Sequence, residues 1–157
     1  MVRPIHPVEL DFLESAPVRL TFGAALVAPP DAVYRELAEH TEDWPDWFSG
    51  LVVASRTPEG RQVRLSGGGQ FWETVLAAHP SVRYAYRTDH TNAPGVSALV
   101  EDWHLTPAAP GTRVRWTIAT DGAALYRALV RAARPALART FRTSMRALDR
   151  RLVLPKR

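Results

Sequence analysis

Hydrophobic and polar residues alternate along 18–27, where Val18, Leu20, Phe22, Ala24 and Leu26 share one face. A period of two over that length predicts a half-buried strand. Pro29 and Pro30 stop it, and Pro30 or Asp31 opens a short helix with Val33, Leu37 and Tyr34 on its apolar side. The segment TEDWPDWFSG predicts a second short helix or turn, anchored by Trp44, Trp47 and Phe48 and with Pro45 in its first turn. Six further strands follow at 51–57, 61–67, 70–78, 82–90, 96–106 and 112–120, separated by Gly- and Pro-rich breakers such as Gly67-Gly68-Gly69 and Asn92-Ala93-Pro94-Gly95. From about Ala123 to Leu152 the period becomes helical. Val130, Ala133, Leu137, Phe141, Ser144, Leu148 and Leu152 form one stripe with Met145 beside it, Asp121 is the expected N-cap, and Pro135 should kink the helix.

This order of elements predicts an α+β domain. A lone first strand followed by two short helices joins the sheet only by returning to pair with the last strand. The expected architecture is therefore a seven-stranded curved antiparallel sheet wrapped around a long C-terminal helix, with two short helices after the first strand. Residues 16–152 form that domain, 1–15 an N-terminal arm and 153–157 a basic tail. Leu10, Phe12 and Leu13 of the arm should dock on the body or on a second subunit, as in a homodimer, because clustered apolar side chains are rarely left in water.

Composition narrows the function classes. The 157 residues, 46% hydrophobic and 23% charged, suit one globular domain. With no cysteine, disulfides, thiolate nucleophiles and cysteine-ligated metals are excluded. The N-terminal stretch has no apolar run of signal-peptide length and carries Glu9, Asp11 and Glu14, and no segment approaches the roughly 18 apolar residues of a membrane span. A cytoplasmic protein without integral membrane association is expected. The net charge of +4 is uneven: Arg127 to Arg157 holds ten Lys or Arg and one acid, Asp149. Such a helix can meet anionic lipid or nucleic acid, but its plain reading is a solvated face, and no nucleic-acid partner is expected.

Strand parity decides which side chains can see a ligand. Val114, Trp116 and Ile118 must face the helix, because the alternative places Arg113 and Arg115 unpaired in a core. Leu99, Glu101, Trp103 and Leu105 then face inward, as do Tyr84, Tyr86 and Thr88. Asp102, His104, Arg83 and Arg87 face outward as an exposed cross-strand charge pattern. The inner face is thus aromatic with few polar groups, a composition shared by ligand cavities and plain cores. Glu101 and Glu73 are its acidic outliers, although Trp72 and Leu76 compete with Glu73 for the inside. A carboxyl among aromatics must be paired, hydrogen-bonded or neutralised. The candidate ligand-binding set is Glu73, Tyr84, Tyr86, Glu101, Trp103, Trp116 and Phe141.

The five histidines show no metal-ligand spacing and no compact His/carboxylate cluster, so no metal and no cofactor are expected. His104 should face solvent, and His90 should sit near the cavity mouth. The glycine run lacks the GKS/T ending of a phosphate loop, and there is no G-x-S-x-G elbow.

Several phrases, in order, resemble the START-like superfamily of polyketide cyclase/dehydrase and lipid transport proteins: APPDAVYREL, WPDWFSGL, FWETVLAAHPSVRYAYR and EDWHLTPAAPGTRVRWT, then the long amphipathic helix. The resemblance covers about residues 16–152. It implies a helix-grip fold with a deep cavity between sheet and helix, holding a lipid, polyketide or quinone-like molecule. The superfamily has no universal catalytic motif, so no catalytic residue carries over. Three functions follow as expectations: a binder of a hydrophobic or aromatic small molecule; a cyclase or dehydratase using the same cavity; and a protein-interaction module acting through the basic helix.

Overall fold

A computed structural model describes residues 1–154. The chain runs β1 (Arg3–Pro4), α1 (Phe12–Ser15), β2 (Val18–Leu26), α2 (Pro30–Ala38), a 3-10 segment (Thr41–Asp46), β3 (Leu51–Arg56), β4 (Gly60–Leu65), β5 (Gln70–His79), β6 (Arg83–Thr91), β7 (Val96–Ala108), β8 (Gly111–Gly122), α3 (Ala124–Ala132) and α4 (Arg134–Val153). Seven strands form one antiparallel sheet in the order β2-β8-β7-β6-β5-β4-β3, and the helix-grip architecture expected from the sequence is present. β2 does return to the last strand, from Val18 opposite Thr120 to Leu26 opposite Thr112. No helix among the described residues is long and apolar enough to cross a membrane.

The arm adds an eighth, two-residue strand. Pairing of β6 with β7 ends at Arg87 opposite Val100, which leaves the far end of β6 open. β1 fills that opening with Arg3 opposite Thr91, Ile5 N–H donates to the Asp89 carbonyl, and His6 N–H donates to Ser97. The arm then crosses the convex face, where Leu13 is buried against Val100 and Ala119, with Leu10 and Phe12 beside it. It docks on its own domain.

On the concave side α4 buries Phe141, Ser144, Met145 and Leu148. Two polar ties fix its position. Asp149 accepts hydrogen bonds from the Val27 and Ala28 backbone N–H groups, and Ser144 Oγ accepts one from Ser49 N–H at 2.9 Å. These donors would otherwise lack partners where β2 and the 3-10 segment end.

The long helix is broken rather than kinked. α3 stops at Ala132, and Pro135 takes the first turn of α4. Proline has no N–H and its ring collides with the carbonyl four residues back, at a cost of about 3 kcal/mol inside a helix, so the chain restarts there. Asp121 does not cap α3 either. Ala123 occupies the N-cap position, while Asp121 accepts from Gly122 N–H and lies 3.7 Å from Arg127.

The outer charge pattern is not an exposed one. Asp102 is only 5% exposed, bound through both oxygens to Arg83, with His104 Nε2 at 3.1 Å. The docked arm shields it, with Leu10 and Leu13 lining the same recess. His104 is half-buried, and burial lowers its pKa despite the opposing pull of Asp102.

Candidate ligand-binding cavity

Between the sheet and the C-terminal helices lies a cavity of about 540 Å³. Its walls are largely apolar and include Phe48, Leu65, Phe71, Leu99, Ile118 and Val130. α3 and the start of α4 supply Tyr126, Val130, Leu137 and Thr140, and the 3-10 segment supplies Trp44. Period-two alternation brings the strand residues inward. On α3, Tyr126 reaches the sheet, where Thr120 Oγ lies 2.8 Å from its hydroxyl. Thr120 spends its single proton on the Ala98 carbonyl, so Tyr126 is the donor.

One end of the cavity is polar, and it holds the residue that strand-by-strand reading passed over. Arg61 opens the β4 face that continues through Val63 and Leu65, and it is 2% exposed. Its Nε donates to Glu73 Oε1 at 2.5 Å, directly across the β4–β5 pair. Its guanidinium carbon sits 4.1 Å from the Trp44 ring centroid and 4.4 Å from that of Tyr86, within cation–π range of both. Its Nη1 is buried without a hydrogen-bond partner among the described residues. Parity with Val63 and Leu65 places Arg61 on the inner face, but only the pairing with Glu73 and the rings of Trp44 and Tyr86 keeps it there.

Of the sequence candidates, Glu73, Tyr86, Glu101 and Trp116 line the cavity together with Arg61. Tyr84, Trp103 and Phe141 do not. They are buried in the core cluster behind the wall, where Trp103 Nε1 donates to the Tyr86 hydroxyl at 3.3 Å and the Phe141 ring lies 6.1 Å from Trp103. Burial settles the β5 ambiguity. Phe71, Glu73 and Val75 alternate onto the core side, and Leu76, left unpaired at the register shift between Val75 and Ala77, packs under the arm. His90 is not at the cavity mouth. It stands opposite Pro4 and Trp72, among the arm residues Pro4, Ile5 and Pro7.

Electrostatics separates the two carboxyls. Burial pushes Glu101 up to about 7, assisted by nearby Glu73 and opposed by Arg61 and by hydrogen bonds from Trp116 and Tyr86. The Trp116 Nε1 bond to Glu101 is 3.2 Å long. A buried guanidinium keeps its proton and requires one negative partner. Burial raises the Glu73 carboxyl too, but the guanidinium hydrogen-bonded to it pulls the other way, and by that direct contact Glu73 is the partner. Glu101 is the second carboxyl on a single cation, so it takes up a proton near neutrality. Burial also carries the Tyr86 hydroxyl well above its ordinary value.

A compact His/carboxylate group does exist elsewhere, contrary to the reading of the sequence. Glu36, His40 and Asp43 bring ligand atoms within 4.8 Å of one another where α2 meets the 3-10 segment. The Arg151 guanidinium already lies against it, 3.4 Å from Glu36 and 2.9 Å from Asp43, and supplies the positive charge that the acids require.

Comparison with known proteins agrees with this geometry. The family model for polyketide cyclase / dehydrase and lipid transport matches residues 18–153, most of the chain. The protein belongs to that family. Solved structures share the family's fold at low identity. The aromatase/cyclase Zhui from Streptomyces sp. R1128 is 18% identical, with a TM-score of 0.70 over 85% of this chain and 94% of its own. A START superfamily protein from Mycobacterium smegmatis is 12% identical, with a TM-score of 0.67 over 85% and 96%. A Rhodobacter sphaeroides protein is 18% identical, with a TM-score of 0.67 over 97% of both chains. No curated protein matches the chain. Membership carries the coarse reading of the family, a hydrophobic ligand or cyclase-like chemistry in the cavity.

Proposed function

We propose that the protein binds a flat, largely apolar small molecule in this cavity, with one oxygen-bearing end against Arg61 and Glu101. The observation that carries the reading is the Arg61 Nη1, without a hydrogen-bond partner among the described residues, at the polar end of a largely apolar cavity. Leaving a buried charged donor without an acceptor is costly, so an acceptor from outside the chain would satisfy it. A ligand carbonyl, phenol or carboxylate oxygen meets that need, and protonated Glu101 adds a donor beside it. The rest of the ligand is held by burial of apolar area, about 25 cal/mol per Å², and by stacking on the wall aromatics.

A second reading, a cyclase- or dehydratase-like enzyme in the same cavity, draws support from one feature. A carboxyl that titrates at about 7 beside a guanidinium can deliver a proton to an oxygen that Arg61 steadies. The fold likeness to an aromatase/cyclase is compatible with it.

A matched pair of probes tests the binding reading. 2-Acetonaphthone and 2-ethylnaphthalene differ by one carbonyl oxygen, and Trp44 and Trp116 in the wall report occupancy by fluorescence quenching. The wild-type protein should bind the ketone more tightly than the hydrocarbon. Equal or tighter binding of the hydrocarbon would show that the polar end reads nothing.

A further inference from the structure

α3 has an inside and an outside, and both are apolar. Tyr126 and Val130 face the cavity. On the other side Leu125, Ala128, Leu129 and Ala132 recur at the i, i+3, i+4, i+7 spacing of a helix stripe, and all four are exposed. Leu125 is 70% exposed and Leu129 59%, and no α3 residue is fully buried. A stripe of this kind normally faces a core, yet nothing among the described residues covers it. Arg127 and Arg131 lie on the same helix, and Arg134 follows at the break.

We infer that the outer face of α3 docks on an anionic lipid bilayer, with Leu125 and Leu129 entering the interface and the arginines meeting lipid phosphates. Charge decides the occupant. Between Asp121 and Asp149 the chain holds six arginines and no acid, so a second copy presenting the same face would bring like charges together. An apolar stripe on an acid-free run of arginines, with the exposed Arg131 at one edge, matches the two layers of an anionic membrane surface, which gains from apolar burial and from each nearby cation. A nucleic acid has no use for the leucines.

Placement adds to the argument. The helix is a separate segment, cut from α4 at Ala133 and tied to the body through the Tyr126–Thr120 bond, the Arg127–Asp121 pair and the Arg131 bond to the Pro17 carbonyl. Its inner side is a wall of the cavity, so the docking face and the cavity share one nine-residue helix. The inference concerns the outer stripe alone and stands whatever occupies the cavity.

Co-sedimentation of the full chain with vesicles tests it. One set is phosphatidylcholine alone and the other equal parts phosphatidylcholine and phosphatidylglycerol. The protein should sediment with the mixed vesicles, weaken as salt is added, and stay in solution with phosphatidylcholine alone. The double variant L125S/L129S should lose at least about tenfold in partitioning while its melting temperature stays unchanged, because both side chains are exposed. V52S/V53S, which removes exposed apolar residues from β3 instead, should bind as wild type. Absence of wild-type binding to the mixed vesicles, or binding that survives L125S/L129S, overturns the proposal. A dimer in solution that L125S/L129S converts to monomer overturns it in favour of self-association, and capture of a soluble acidic protein without vesicle binding overturns it in favour of a protein partner.

Discussion

Arg61 and Glu73 face each other across two neighbouring strands, Nε to carboxylate at 2.5 Å, with both side chains almost wholly out of water. Two buried charges in such contact are stable together and costly apart. Arg61→Met should therefore lower stability by about 3–5 kcal/mol, because it leaves Glu73 buried without its cation. Replacing both, as R61M with E73L, should recover most of that loss. Urea titration of the three proteins gives the comparison. Equal losses in the single and double variants would mean that the pair is not the unit it is taken to be here.

Glu101 makes the stability depend on pH. Its pKa in the fold is about 7, against an ordinary value of 4.5. Between those values the folded chain binds more protons than the unfolded chain, so this contribution is full below about pH 4.5 and is lost as pH rises through about 7. Glu101→Gln cannot ionise, and it should be more stable than wild type at pH 8 and similar at pH 5. Melting curves at the two pH values decide the matter. A wild-type advantage at pH 8 would show Glu101 ionised and well solvated or paired.

The same substitution separates carrier from enzyme. For a carrier it should shift affinity modestly and leave the ligand unchanged. For an enzyme using Glu101 as its acid, turnover should vanish while binding survives, a loss in kcat and not in affinity.

Phe141 is 1% exposed and touches Phe22, Trp103 and Trp116 without bordering the cavity. Phe141→Ala should then cost about 3–5 kcal/mol in a denaturant titration. A loss near zero would contradict the helix register on which the cavity depends.

Much of this was legible in the sequence because period-two patterning is unambiguous when charged residues occupy the other face. Arg113 and Arg115 forced Trp116 inward, pairing then forced Trp103 inward, and the two indoles stack with centroids 5.2 Å apart. Glu101 followed by the same rule. Arg61 was harder, since an arginine is expected outside. Its burial depends on a carboxylate 12 residues away and on two aromatic rings from other elements, which no local pattern displays. Asp102 was misjudged for a similar reason. Its exposure is decided by the arm, whose docking depends on where β7 parts from β6. The separation of Tyr84, Trp103 and Phe141 from the cavity wall is a matter of depth behind other side chains, and parity gives side, not depth.

Deleting residues 1–15 should lower the melting temperature by removing Leu13 and uncovering Asp102, and should leave the oligomeric state unchanged because the arm closes on its own domain. An unchanged melting temperature would make the arm a passive tail.

The central claim is that the space beneath α3 and α4 is a ligand site. Native mass spectrometry of the protein incubated with 2-acetonaphthone tests it most directly, with Leu99→Trp as the variant that fills the cavity from its wall. One adduct per wild-type chain and none on Leu99→Trp is the expected result; no adduct on the wild type, or equal adducts on both proteins, would contradict it.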